Sequence, residues 1–158
     1  MENDIFQLQY ALNTFYFSVS GALVMWMAAG FTMLEAGLVR SKNTTEILIK
    51  NVVLYSISCD MFMVCAYSIM YLELGSILLT GITLDDLSVA GKASHAPSAN
   101  FFFQVVFVAT AISIVSVAVA ERMKLWAFLT FAVVMAGFIY PLEGNWIWGN
   151  EAVIRLYK

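Results

Sequence analysis

Four long uncharged runs, at residues 5–34, 61–72, 93–120 and 125–142, alternate with short polar clusters along the chain. Three of them reach or approach the ~20 residues that carry an α-helix across ~30 Å of hydrocarbon. Runs and breakers together predict four transmembrane helices, at about 13–39, 45–72, 100–120 and 125–140. Pro141 stops the last, since proline has no N–H to give the helical ladder. The connection after the second helix, "ELGSILLTGITLDDLSVAGKASHAPSAN", is long, acidic and rich in Gly and Ser; the other two are short. The fold class is therefore all-α, a polytopic bundle forming one membrane domain over 1–158.

Composition supports the same class. The chain is 61% apolar and 12% charged, about half the charged share of soluble domains. So few charges cannot coat a globule of 158 residues. A net charge of −3 leaves no basic footprint for nucleic acid. Glu2 and Asp4 stand where a cleavable signal would be basic, so Phe15 onward reads as a retained helix. Cys59 and Cys65 lie about 240° apart on one helix, and they read as small apolar fillers, not as a pair.

Charge orients the bundle. Arg40, Lys42, Lys50, Arg122 and Lys124 flank the connections after the first and third helices. The opposite side carries Glu2, Asp4, Glu73, Asp85, Asp86 and Glu143, with Lys92 the only base before the C-terminal tail. Short basic loops stay in the cytoplasm, which puts the N-terminus outside. In "GFTMLEAGLVRSKN" Glu35 sits one turn inside that boundary, where it pairs with Lys42 or Lys50 or lines a polar interior.

The third helix opens "NFFFQVVFVATAISIVSVAVAER". Phe103 and Phe107 share one face there, about 40° apart, with Phe107 a turn deeper. The fourth helix returns outward and delivers "EGNWIWGN", bringing Trp146 and Trp148 level with the outer end of the third. Two readings stand. Converging aromatic faces hold a small cation, at ~0.5–2 kcal/mol per contact, or they are interfacial belt and ordinary packing. The small residues Ser18, Ser20, Gly21, Ala28, Ala29 and Gly30 let membrane helices approach closely. Asp60 lies in the middle of the second helix, where a carboxylate is costly. It is read as protonated, hydrogen-bonded to Ser or Tyr, or turned to another subunit, serving as a structural polar contact or as a proton or ion relay. The expectation is a buried, largely protonated carboxyl. His95, beside Pro97, lacks the spacing of a metal ligand and reads as a solvated loop residue. With no phosphate loop, GxSxG or HExxH, neither an enzyme nor a cofactor is expected.

Three blocks resemble the ammonium transporter family, which includes the Rh proteins. They are "AAGFTMLEAGLVRSKNTTEILIKNV" at 28–52, "FFFQVVFVATAISIVSVAVAERMK" at 101–124 and "YPLEGNWIWG" at 140–149. They fall in the family's order along nearly the whole chain, and the middle one is the most specific. The resemblance implies conduction of ammonium nitrogen through a narrow apolar pore in each subunit of a homotrimer. By motif, Phe103 and Trp148 fall on the aromatics of an outer ammonium vestibule, and Phe107 on one of two stacked phenylalanines that gate the pore. A cation-π cup selects a monovalent ion, and an apolar gate beneath it rejects a hydrated one.

The departures are equally specific. Family members have about eleven helices in two inverted halves with the pore between them, whereas four are read here. "NEAVIRLYK" stands where the family continues toward a buried Asp and a first pore histidine. The second gate Phe and the vestibule Ser have no counterpart, and Asn145 stands where a His is common. The expectation is a truncated N-terminal part of such a transporter, multi-pass in a cell membrane, with ammonium or ammonia and the lipid bilayer as partners. The alternatives are a non-transporting ammonium-binding or sensor module and an inactive remnant.

The orientation is testable with cysteine labelling after Cys59 and Cys65 are replaced by alanine. An impermeant thiol reagent added outside intact cells should modify Ser94→Cys and leave Ser41→Cys untouched. The reverse pattern would invert the bundle.

Overall fold

The computed structural model describes residues 2–71 and 95–148. Every regular element among them is helical. The helix α1 runs over Glu2–Leu38, followed by a 3-10 turn at Ser41–Asn43. The next rod, α2, runs over Thr44–Met61, through a π-helical stretch at Phe62–Ala66, to a last α-helical turn at Tyr67–Tyr71. The third, α3, spans Pro97–Ala118. The fourth, α4, joins Leu125–Val134, a π-helical stretch at Met135–Ile139 and Tyr140–Trp148. All four are long and apolar enough to cross a membrane, and the chain is a multi-pass membrane protein.

Three boundaries differ from the sequence reading. The first helix begins near residue 2, not 13, because no Gly or Pro interrupts its polar first turns, and helix propagation does not require apolar residues. The third begins at Pro97 instead of 100. Proline fits a first helical position, where its missing N–H would have had no partner. The fourth does not stop at Pro141 but continues to Trp148. A π-helical stretch immediately precedes Pro141, and the Tyr140 N–H bonds back to the Met135 carbonyl, five residues away. The carbonyl of Gly137, four residues before the proline, accepts from the Cys65 thiol at 3.8 Å. Most of the acidic connection, with Asp85, Asp86 and Lys92, and the tail beyond Trp148 lie outside the described residues.

Helix α1 runs alongside α3 in parallel, at a nearly constant sequence offset. The Ala96 N–H donates to Thr14 Oγ1 at 3.0 Å, Gly21 faces Phe102, Ser116 reaches Glu35, and Arg40 reaches Glu121. The buried line on α1 is Gly21, Ala28 and Glu35, the seven-residue period of a seam between near-parallel helices. A Cβ on Gly21 would sit 2.7 Å from the Phe102 ring, so only glycine allows this approach. The most buried helix is α3. Its Val106, Val108 and Ile112 share one core with Leu54, Phe62 and Met70 of α2 and with Phe128, Ala132 and Ala136 of α4. The far side of α1, with Leu8, Phe15, Trp26 and Met33, is exposed, as suits a helix facing lipid.

Beyond α3 the chain turns through Glu121, whose φ of 59° lies in the left-handed region that favours glycine. Its carboxylate accepts from the Arg40 backbone N–H at 3.1 Å, from Asn43 Nδ2 at 2.7 Å and from Arg40 Nε at 3.4 Å. The Arg40 N–H and then the Asn43 amide hold this carboxyl below the usual carboxylate range. The clamp ties the loop after α1 to the loop after α3.

One turn inside that clamp, all four helices meet on a buried ion pair. Glu35, 1% exposed, pairs with Lys50 Nζ. Asn51 Nδ2 donates to Glu35 Oε2 at 2.8 Å, and Ser116 Oγ lies 3.1 Å from the same oxygen. Lys50 Nζ also stands 5.1 Å from the centroid of the Phe128 ring on α4. Of the partners open to Glu35 in the sequence, Lys50 is the one used.

Removing one member of a buried ion pair strands the other, at ~3–5 kcal/mol. Lys50→Met should therefore lower the thermal unfolding midpoint in detergent sharply, and adding Glu35→Leu should restore most of the loss. A single variant as stable as the parent would show that the pair does not hold the bundle.

Candidate functional site

At the opposite end of the bundle, α3 presents Asn100, Phe103, Gln104 and Phe107. Their spacing of i, i+3, i+4 and i+7 places them on one helical face. The Phe103 and Phe107 rings lie with centroids 4.7 Å apart at 55°. From α1, Phe17 meets Phe103 edge-on, at 5.1 Å and 76°. On its other side Phe17 lies against His95, at 4.6 Å and 48°. Tyr71, which ends α2, brings its hydroxyl to Asn100 Nδ2 at 2.8 Å and Gln104 Nε2 at 3.4 Å. These seven side chains line an open pocket of about 560 Å³.

Its chemistry follows from that lining. Aromatic ring faces carry negative quadrupole density and attract cations. Amide groups add hydrogen-bonding atoms without net charge. Among the described lining residues there is no carboxylate, so none of them holds a cation by full opposite charge. Such a pocket suits a small monovalent cation held briefly.

The residues singled out in the sequence fall in different places. Phe103 and Phe107 are together in the pocket. Trp148 is the last residue of α4, and its side chain lies outside the described set. Asp60 is not in the pocket, and it is exposed, not buried. It lies about 200° around α2 from Ser58 and Phe62, which face the core. It shares an outward stripe with Val52, Ser56 and Met63. His95 is half-buried against Phe17 instead of fully solvated, and burial pushes its imidazole below the ordinary histidine value.

Four lining residues escaped the sequence reading. Asn100 and Gln104 were readable from their spacing with Phe103 and Phe107. Phe17 and Tyr71 were not, because they arrive from other helices. Asn145 fastens α4 near the same end, donating from Nδ2 to the Met70 carbonyl at 2.8 Å.

The sequence matches the Ammonium Transporter Family over residues 15–158. It is 38% identical to a putative ammonium transporter of Synechocystis sp., over 96% of this chain and 35% of that protein. Against the ammonium transporter Amt2 of Archaeoglobus fulgidus the identity is 34%, over 84% of this chain and 28% of the relative. Against putative ammonium transporter 1 of Caenorhabditis elegans it is 36%, over 87% and 25%. The chain thus spans about a third or less of the length of these curated relatives.

His95 offers a direct check on the pocket wall. Burial disfavours its charged form, so its midpoint by NMR should lie below the ordinary value of about 6.5. Because the folded value is the lower one, its contribution to stability is complete above about 6.5 and declines as pH falls below that. Phe17→Ala should open the wall and move the midpoint back up. An unshifted midpoint in the parent chain would mean that His95 is fully solvated and does not form the pocket wall.

Proposed function

We propose, because this chain belongs to the Ammonium Transporter Family, that it takes part in moving ammonium across the membrane and that its aromatic pocket is where the ion is first held. The observation that carries the reading is the meeting of Phe17, Phe103 and Phe107 in one open pocket between membrane-spanning helices. In this reading the pocket faces outside. Phe103 and Trp148 supply ring faces to the ion, and Phe107, one turn deeper on α3, forms part of an apolar gate. Residues 1–158 act as one membrane domain, in a homotrimer once the fold is completed. The exposed apolar face of α1 suits lipid and membrane-embedded neighbours. Asp60, exposed on α2 away from the pocket, has no role as a relay in this reading.

The mechanism follows from desolvation. An ammonium ion entering the pocket gives up water, and the ring faces replace part of that hydration through cation-π attraction. Phe107 then opposes passage of any ion that still carries its water. Recruitment and exclusion thus sit one helical turn apart on the same face of α3.

Binding of radiolabelled methylammonium to the chain in lipid nanodiscs tests the recruiting site. Phe103→Leu and Trp148→Leu should each weaken binding by roughly 2- to 30-fold, the span of one cation-π contact, with the unfolding midpoint little changed. Full affinity in both variants would remove the aromatic site from the reading.

A further inference from the structure

Ring faces respond to charge and not to N–H groups. A purely aromatic pocket would therefore take a fully alkylated ammonium as readily as one bearing hydrogens. The polar side of this pocket supplies what the rings lack. Asn100 Nδ2 and Gln104 Nε2 both donate to the Tyr71 hydroxyl oxygen. A carboxamide carries its nitrogen and oxygen on opposite arms of one planar group. Committing both nitrogens to Tyr71 therefore turns Asn100 Oδ1 and Gln104 Oε1 away from it. Among the described residues neither oxygen accepts a hydrogen bond. Neither is sealed off, since the one fully enclosed side-chain polar atom without a partner in the described set is Tyr10 Oη. Both residues line the pocket, and Gln104 is itself only 7% exposed, so its amide has little freedom to turn.

We propose that Asn100 and Gln104 are the specificity-determining acceptors of this pocket, their carbonyl oxygens selecting a small cation that carries N–H donors, and that Tyr71 is the positioning residue that fixes both amides. The inference rests on the reading of the pocket as a cation site and adds the class of cation. An ammonium or primary alkylammonium ion meets two directional acceptors and the ring faces at once. A tetramethylammonium ion finds only the rings. A potassium ion finds two of the six or more oxygens that would replace its hydration. Tyr71 acts at one remove, because its oxygen takes both amide nitrogens and so holds the acceptor side toward the ligand.

The experiment uses the full chain in lipid nanodiscs, with radiolabelled methylammonium as ligand and with potassium and tetramethylammonium as competitors. The parent chain should bind methylammonium, and a large excess of potassium should displace it poorly. Gln104→Met, close to isosteric, should lose roughly tenfold or more in methylammonium affinity, as expected for a hydrogen bond from a charged donor. Its affinity for tetramethylammonium should not change. Tyr71→Phe keeps every ring and both amide groups but removes the oxygen that orients the amides. It should lower methylammonium affinity by a smaller factor, again with tetramethylammonium unchanged. Equal loss for both cations in Gln104→Met would make Gln104 a packing residue and overturn the proposal, as would no loss for either. Either result would leave the aromatic site standing. Failure of the parent chain to bind any of the three cations would instead overturn the cation-site reading, and this inference with it.

Discussion

The bundle is organised around a carboxylate that cannot be left alone. Glu35 is almost completely enclosed, and an ionised group in a low-dielectric interior is tolerated only when paired and hydrogen-bonded. Two neighbouring helices satisfy it directly: Lys50 and Asn51 come from α2 and Ser116 from α3. Phe128 of α4 presents its ring to the lysine. A buried pair of this kind is weak evidence for added stability, because desolvation offsets much of the attraction. Its effect is to fix the register. Sliding α1 along α3 by one turn would strand the charge, whereas apolar packing alone would tolerate many registers.

That register reaches the pocket. Because α1 and α3 run parallel at a near-constant offset from Thr14–Ala96 to Arg40–Glu121, fixing Glu35 against Ser116 also sets where Phe17 meets Phe103. The small residues of α1 transmit the constraint. Gly21 and Ala28 keep the helices close enough for ring contact at the far end. The charged anchor and the aromatic pocket are therefore two ends of one seam.

What could be read from the sequence divides along physical lines. The four helices were legible because crossing hydrocarbon demands long uncharged runs, which no other constraint produces so cleanly. Phe103 and Phe107 were legible as a pair because both lie on one helix, where spacing determines face. The partner of Glu35 stayed open between two lysines, since choosing Lys50 requires knowing how α1 and α2 pack. Asp60 shows the limit most clearly. Hydropathy gives depth along a helix and says nothing of azimuth, and the azimuth of α2 is set by Leu54, Ser58 and Phe62 facing the core. Pro141 misled for a related reason: a proline stops a regular α-helix, and the widened turn before it is a tertiary feature with no local signature.

That widened turn has a counterpart at Phe62–Ala66 on α2, and the two stretches touch through Cys65 and Gly137. A π turn takes up one residue more than an α turn, an amount that would otherwise swing every later side chain by about 100°. Each stretch therefore works as a phase adjuster between the two halves of its rod. Tyr71 and Asn145 lie beyond these adjusters, while Lys50 and Phe128 lie before them. The pocket end and the anchored end of the bundle can thus vary their chain length independently: an insertion or deletion of one residue within a stretch is absorbed locally, and the ionic anchor keeps its geometry while the aromatic pocket is reshaped.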